Sequence, residues 1–216
     1  ALSSAASDVY KRQVFMRAFF YPAILSLALP VFGAPPTPSE PSTTWLGATD
    51  EWTDESNWSN GVPSASTSVL FNSMYTQNIS PKGDIYVNDL IFGDGFALGD
   101  LGNYNIGVSK SLNVKGDLYY TNLRSAYYGG IRFSAGTGAI FTIDGDATFE
   151  ARTLTDEQKQ TYKDGTVDVQ IGSAATTYPM FGEFNLSGNL NLIGTSSYLS
   201  RVNLAAETVN IGGIVN

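Results

Sequence analysis

The chain has 216 residues, 15% of them charged, with 22 glycines, 12 tyrosines, 12 phenylalanines and a formal net charge of -8. This composition favours many short strands joined by turns over long solvated helices, and the acidic balance disfavours nucleic acid as a partner. Cysteine and histidine are both absent, which excludes disulfide staples, thiolate nucleophiles, imidazole-dependent catalysis and the usual zinc ligand sets.

The head of the chain is two different things. Residues 3–13, Ser-Ser-Ala-Ala-Ser-Asp-Val-Tyr-Lys-Arg-Gln, resemble the translated frame of a transposon-end adapter, so residues 1–15 are set aside from fold reasoning as a fusion scar would be. They also suggest an open reading frame taken from assembled reads, expected to be incomplete at either end. From Met16 the pattern changes. Arg17 supplies a positive charge, 18–29 is almost wholly apolar, and Pro30 precedes Val31-Phe32-Gly33-Ala34. Residues 16–33 therefore read as a secretory signal peptide helix, with cleavage expected between Gly33 and Ala34. The alternative is a buried amphipathic helix, which the lack of a polar face disfavours. No later apolar run reaches the roughly 20 residues of a membrane-spanning helix. The first 33 residues carry Lys11, Arg12, Arg17 and Asp8, so the exported remainder is more acidic than the whole. Four prolines in 34–44 predict an extended linker without fixed contacts.

Residues 45–71 contain all three tryptophans: Trp45-Leu46-Gly47, Trp52, Asn57-Trp58, Gly61-Val62-Pro63 and then Val69-Leu70-Phe71. This order of aromatic anchors, Asn-Trp and Gly-x-Pro resembles the motif that opens many autotransporter passengers and related bacterial surface proteins built of autotransporter-associated β-strand repeats. The resemblance implies a β-repeat fold and a non-enzymatic, adhesin-like display role at the surface of a Gram-negative cell. Physically, the open end of a strand stack must be covered, and tryptophans suit that task because each buries a large ring while its N–H finds a partner. The competing reading makes Trp45, Trp52 and Trp58 a sugar-stacking platform.

Beyond Phe71 one unit recurs: an alternating apolar strand, Gly with Asp or Asn, then a second short strand. Copies lie at 112–120, 141–149 and 184–192, and another begins at 209–214. Alternation puts the apolar side chains on one face, and Gly marks a corner. A unit with one apolar face cannot bury it alone, and periods of about 25 to 45 residues point to stacking. The expected fold is all-β: a right-handed parallel β-helix (solenoid) over 72–216, truncated at its C-terminus, with an N-terminal Trp-rich cap. Residues 152–165, polar with an Asp-Glu start and a Gly end, suit an excursion helix or a solvated loop. Residues 126–130, Ala-Tyr-Tyr-Gly-Gly, either display aromatics or pack on an outer strand.

Candidate chemistry is sparse. Residues 92–103 place Asp94, Asp100 and Asn103 among glycines, a possible calcium site that lacks the in-register Gly-Gly-x-Gly-x-Asp core of calcium-binding nonapeptides. Asp144 and Asp146 are the nearest approach to the paired carboxylates of a polysaccharide lyase or glycoside hydrolase, but Gly145 between them marks a turn, where acids usually satisfy backbone N–H groups. No phosphate-binding loop is present in the pattern. No catalytic, cofactor-binding or metal-ligating residue is assigned and no cofactor is expected. The expected partners are the export machinery and host or environmental glycans or surface proteins, with a secreted carbohydrate-active enzyme or glycan-binding module as the alternative.

Overall fold

A computed structural model describes residues 36–75, 78–93, 96–98, 104–121, 131–151, 156, 167–173, 179–194 and 200–216. The signal segment, the tyrosine stretch 126–130, residues 152–165 apart from Asp156, and Asp94, Asp100 and Asn103 of the calcium segment lie outside the described residues.

Three parallel sheets and a two-stranded one account for the named strands. The first sheet contains β1 (Ser42–Thr44), β2 (Ser68–Phe71), β5 (Leu90–Phe92), β9 (Leu118–Thr121), β12 (Ala147–Glu150) and β15 (Leu190–Ile193), in that order. The second contains β7 (Tyr104–Val108), β10 (Ile131–Ala135), β13 (Val167–Ile171) and β16 (Ser200–Leu204). The third contains β4 (Asp84–Val87), β8 (Ser111–Val114), β11 (Ile140–Ile143), β14 (Phe181–Leu186) and β17 (Ala206–Ile211). Strands β3 (Met74–Tyr75) and β6 (Ala97–Leu98) form the small pair. From β9 onward the chain visits the first, second and third sheets in that order three times. Helix is confined, among the described residues, to a single 3-10 turn at Glu55–Asn57.

The sequence alternation explains why these segments are strands. Leu90, Leu118, Ala147 and Leu190 align across the first sheet. Phe92, Tyr120, Phe149 and Leu192 align two residues on, and both columns belong to one hydrophobic core. The third sheet contributes Leu112, Phe141 and Phe184 and also Val114, Ile143 and Leu186, again two residues apart and buried. Fully burying one such side chain contributes roughly 1.5–3 kcal/mol, and stacking on the neighbouring strand is what removes it from water. Aromatic rings continue the stack, with Phe71 and Phe92 4.9 Å apart and Phe92 and Tyr120 5.5 Å apart.

The Pro-rich segment differs from expectation. Its last residues form β1, which pairs with β2 in register Ser42–Ser68, Thr43–Val69 and Thr44–Leu70. Ser39 Oγ also hydrogen-bonds Asp89 Oδ2 at 2.6 Å. Contacts therefore begin before Trp45, and Thr43 is buried. Prolines removed donors only up to Pro41, leaving Ser-Thr-Thr with a complete backbone able to join a sheet.

Candidate functional site

The Gly-Asx pairs at 116–117, 145–146 and 188–189 fall at the corner where the third sheet leads into the first. Asp89 Oδ1 accepts the backbone N–H of Asp117 at 3.0 Å, and Asp117 Oδ1 that of Asp146 at 2.8 Å. Asp146 Oδ1 accepts the N–H of Asn189 at 2.7 Å, and Asn189 Oδ1 that of Ile214 at 3.0 Å. The preceding glycines hydrogen-bond to one another: Gly145 N to Gly116 O at 2.9 Å, Gly188 N to Gly145 O and Gly213 N to Gly188 O at 3.0 Å. Glycine is needed here because of close approach. A Cβ on Gly116 would fall inside the radius of Asp89 Oδ1, and one on Gly145 would meet Gly116 O at 2.6 Å as well as Asp117 Oδ1. Asn88 occupies the glycine position one turn earlier, where the preceding strand begins with the short Ser68 instead of Asx.

This ladder decides what Asp144 and Asp146 do. Asp144 Oδ2 pairs with Lys115 Nζ at 2.9 Å on the surface. Asp146 is occupied with Asn189, including the side-chain amide at 3.4 Å. The two carboxylates serve different partners and are not gathered around a common point. For Asp89, burial pushes the carboxyl upward, but hydrogen bonds from Ser39, the Asp117 N–H and Ser68 outweigh it and hold the group below the ordinary carboxylate value. Among the described residues no three acidic groups come together as a metal site.

The tryptophans are 1%, 4% and 4% exposed, so none presents a ring face to a sugar. Trp58 packs edge-on to both Trp45 and Trp52 at 4.8 Å, and Trp45 lies 6.0 Å from Phe71, the first aromatic of the core. Trp58 Nε1 donates to Trp52 O at 2.7 Å. Asn57, fully buried, accepts the Thr49 N–H and donates to Thr49 Oγ1 and Glu51 O, each at 2.7 Å. That explains the Asn of the Asn-Trp pair: a single amide replaces backbone pairing in a bend that holds the rings together. Residues 57–60 also line the edge of β1 away from β2. Ser59 N donates to Thr44 O, Leu46 N to Asn57 O, Ser59 Oγ accepts from Thr44 N, and Asn60 Nδ2 donates to Ser42 O.

Two further features lay beyond the sequence pattern. Tyr119 and Ile91 sit between core-facing neighbours and point to the other face of the first sheet, yet both are buried. There Tyr119 Oη donates to Glu150 Oε2 at 2.5 Å, and Thr121 Oγ1 donates to Glu150 O at 3.0 Å. The second feature is length. The segments joining third to first sheet are short, two residues at 88–89 and three each at 115–117, 144–146 and 187–189. Those joining first to second sheet, 122–130, 151–166 and 194–199, differ from one another. The outward pair Tyr119–Glu150 stands beside this variable junction.

Comparison with protein-family models, with curated proteins and with solved structures finds no match for the chain.

Proposed function

We propose that the chain belongs to an exported bacterial surface protein. Its three sheets are successive sides of a right-handed parallel β-helix, its tryptophan cluster is the cap, and its role is to display segments at one corner. The observation that carries this reading is the contrast between corners. One takes two or three residues per turn and is locked by Gly-Asx pairs, while the junction of first and second sheets, and more modestly that of second and third, takes segments of different length. A repeat scaffold that presents variable surface segments has this division of labour. The right hand follows the preference of parallel crossovers. The fixed corner supports a stiff rod, the buried tryptophans support a covered end, and the apolar segment after Met16 supports export.

Expression of the chain from Met16 in a Gram-negative host tests the export half. Processed protein should begin at Ala34 and leave the cytoplasm, and a full-length product retained in the cytoplasm would refute export. Adhesion of purified protein to host or environmental glycans and surface proteins tests the display half, and an inert protein with no adhesion would refute it. The alternative reading is a glycan-binding or carbohydrate-active module, although Tyr119 and Glu150 on the outward face of the first sheet are both buried. Reducing-end assays on neutral and acidic polysaccharides separate the two, because a display scaffold releases no sugar.

A further inference from the structure

Asn60-Gly61 is the single Asn-Gly pair in the sequence, and it stands in the turn that leaves the tryptophan segment. Gly61 has φ 82°, and a Cβ there would meet nothing within 4 Å. Its N–H donates to no described residue, and Asn60 is exposed. A glycine nitrogen with no side chain beside it and no hydrogen bond to give up is the most accessible nucleophile a following residue can offer to an asparagine amide. Asn60 is also a fastening: its Nδ2 donates to Ser42 O at 2.9 Å and its N–H to Thr43 Oγ1 at 3.1 Å.

We propose that Asn60 is a site of spontaneous deamidation and that its conversion loosens the edge of β1 that residues 57–60 hold. The Gly61 nitrogen loses its proton to solvent base and attacks Asn60 Cγ. The new N–Cγ bond closes a succinimide as the Cγ–Nδ2 bond breaks and ammonia leaves. Water then opens either carbonyl of the ring, giving aspartate or isoaspartate. Both products replace a donor amide by a carboxylate facing the Ser42 carbonyl, so an attraction becomes a repulsion between two acceptors. Asp144-Gly145 provides the internal contrast. Its glycine N–H is held by Gly116 O at 2.9 Å and its carboxylate by Lys115, so it should resist the same cyclisation.

The full chain, incubated in mildly alkaline buffer and sampled over time, is digested and mapped by mass spectrometry alongside hydrogen exchange. The peptide holding Asn60 should gain one dalton and contain isoaspartate, an order of magnitude faster than peptides with other asparagines. The Asp144 peptide should remain unisomerised. Exchange at Ser59 and Leu46, whose N–H groups bond across the β1 edge, should rise with the converted fraction. Asn60→Asp should show the faster exchange from the start, and Gly61→Ala, although strained at φ 82°, should slow conversion. No excess conversion at Asn60 in the unmodified chain would overturn the site, and conversion without faster exchange would overturn its effect on the edge.

Discussion

Replacing Gly116 by Ala should destabilise the protein, and removing one carboxylate should abolish the effect. The backbone of Gly116 is not among those with positive φ, so alanine meets no conformational penalty there. The obstacle is Asp89 Oδ1, which an alanine Cβ would overlap, whereas the nearest backbone atom, Asn88 O, is 3.2 Å away. Asp89 must swing, losing its 3.0 Å bond to the Asp117 N–H while Ser39 and Ser68 hold its other oxygen at 2.6 and 2.7 Å. A hydrogen bond to a charged group contributes about 1.5–3 kcal/mol, and the lower entropy of an unfolded alanine returns about 0.4–1 kcal/mol. The net loss is then about 1–2 kcal/mol. With Asp89→Ala already present, Gly116→Ala should be neutral or slightly stabilising, a coupling of about 2 kcal/mol in a double-mutant cycle. Urea midpoints at unchanged slope give the four stabilities. Gly145→Ala is the control, because Gly116 O lies 2.6 Å from its Cβ and Asp117→Ala leaves that backbone clash in place. Equal losses from Gly116→Ala with and without Asp89 would refute the close-approach account of the ladder.

Three other outcomes follow from individual bonds. Trp58→Phe should lower stability by about 2–3 kcal/mol through a lost indole donor to Trp52 O and a partly emptied site, measured by urea unfolding. Tyr119→Phe should lower it by about 1.5–3 kcal/mol by deleting the buried bond to Glu150, with hydrogen exchange in β9 and β12 as the local readout. For Asp89 the folded carboxyl is held below its unfolded value. Its contribution is therefore complete above the unfolded value of about 3.9 and is lost as pH falls through the folded one. An Asp89→Asn variant should lose this part of the acid limb in a pH series of urea midpoints, and an unchanged acid limb would refute the assignment.

The strand-glycine-Asx-strand unit was legible because it is local: alternation names the inward residues and glycine the corner, and 112–120, 141–149 and 184–192 fold that way. Its side-chain role was half legible, since acids at a turn were expected to serve backbone donors. That each serves the next turn, 28, 29, 43 and 25 residues away, depends on register, which unequal spacing conceals. Strand β1 was missed because Ser-Thr-Thr after prolines has no apolar alternation, and its pairing comes from β2, 26 residues on. Tyr119 and Glu150 were invisible for the opposite reason. Alternation places them outward, where a sequence pattern assigns solvent, and only tertiary structure buries them. The tryptophan motif conveyed an aromatic cluster but not the use of Asn57 as its hub.

A scaffold can tolerate unequal segments at one corner only if their closure entropy is small beside what fixes the register. By chain-closure entropy, lengthening a junction from the extent of 194–199 to that of 151–166 costs about 0.9 kcal/mol, less than one charge-assisted ladder bond at about 1.5–3 kcal/mol. Each turn with Asp117, Asp146 or Asn189 at its fixed corner contributes such a bond or its neutral counterpart. Inserting four Gly-Ser residues between positions 157 and 158 should therefore change stability by less than about 0.5 kcal/mol. One residue inserted between Asp144 and Gly145 should be far worse. Unless it is absorbed beside Asp144, as one residue is where 115–117 follows the two-residue 88–89 with both flanking strands in register, it displaces Asp146 from Asn189 and Gly145 from Gly116, and restoring them would turn the side chains of β11 to the wrong face. A loss above about 3 kcal/mol, or failure to fold, is expected from the ladder bonds and the core facing together. Paired urea titrations compare the two insertions, and equal losses would show that register is set somewhere other than the Gly-Asx corner.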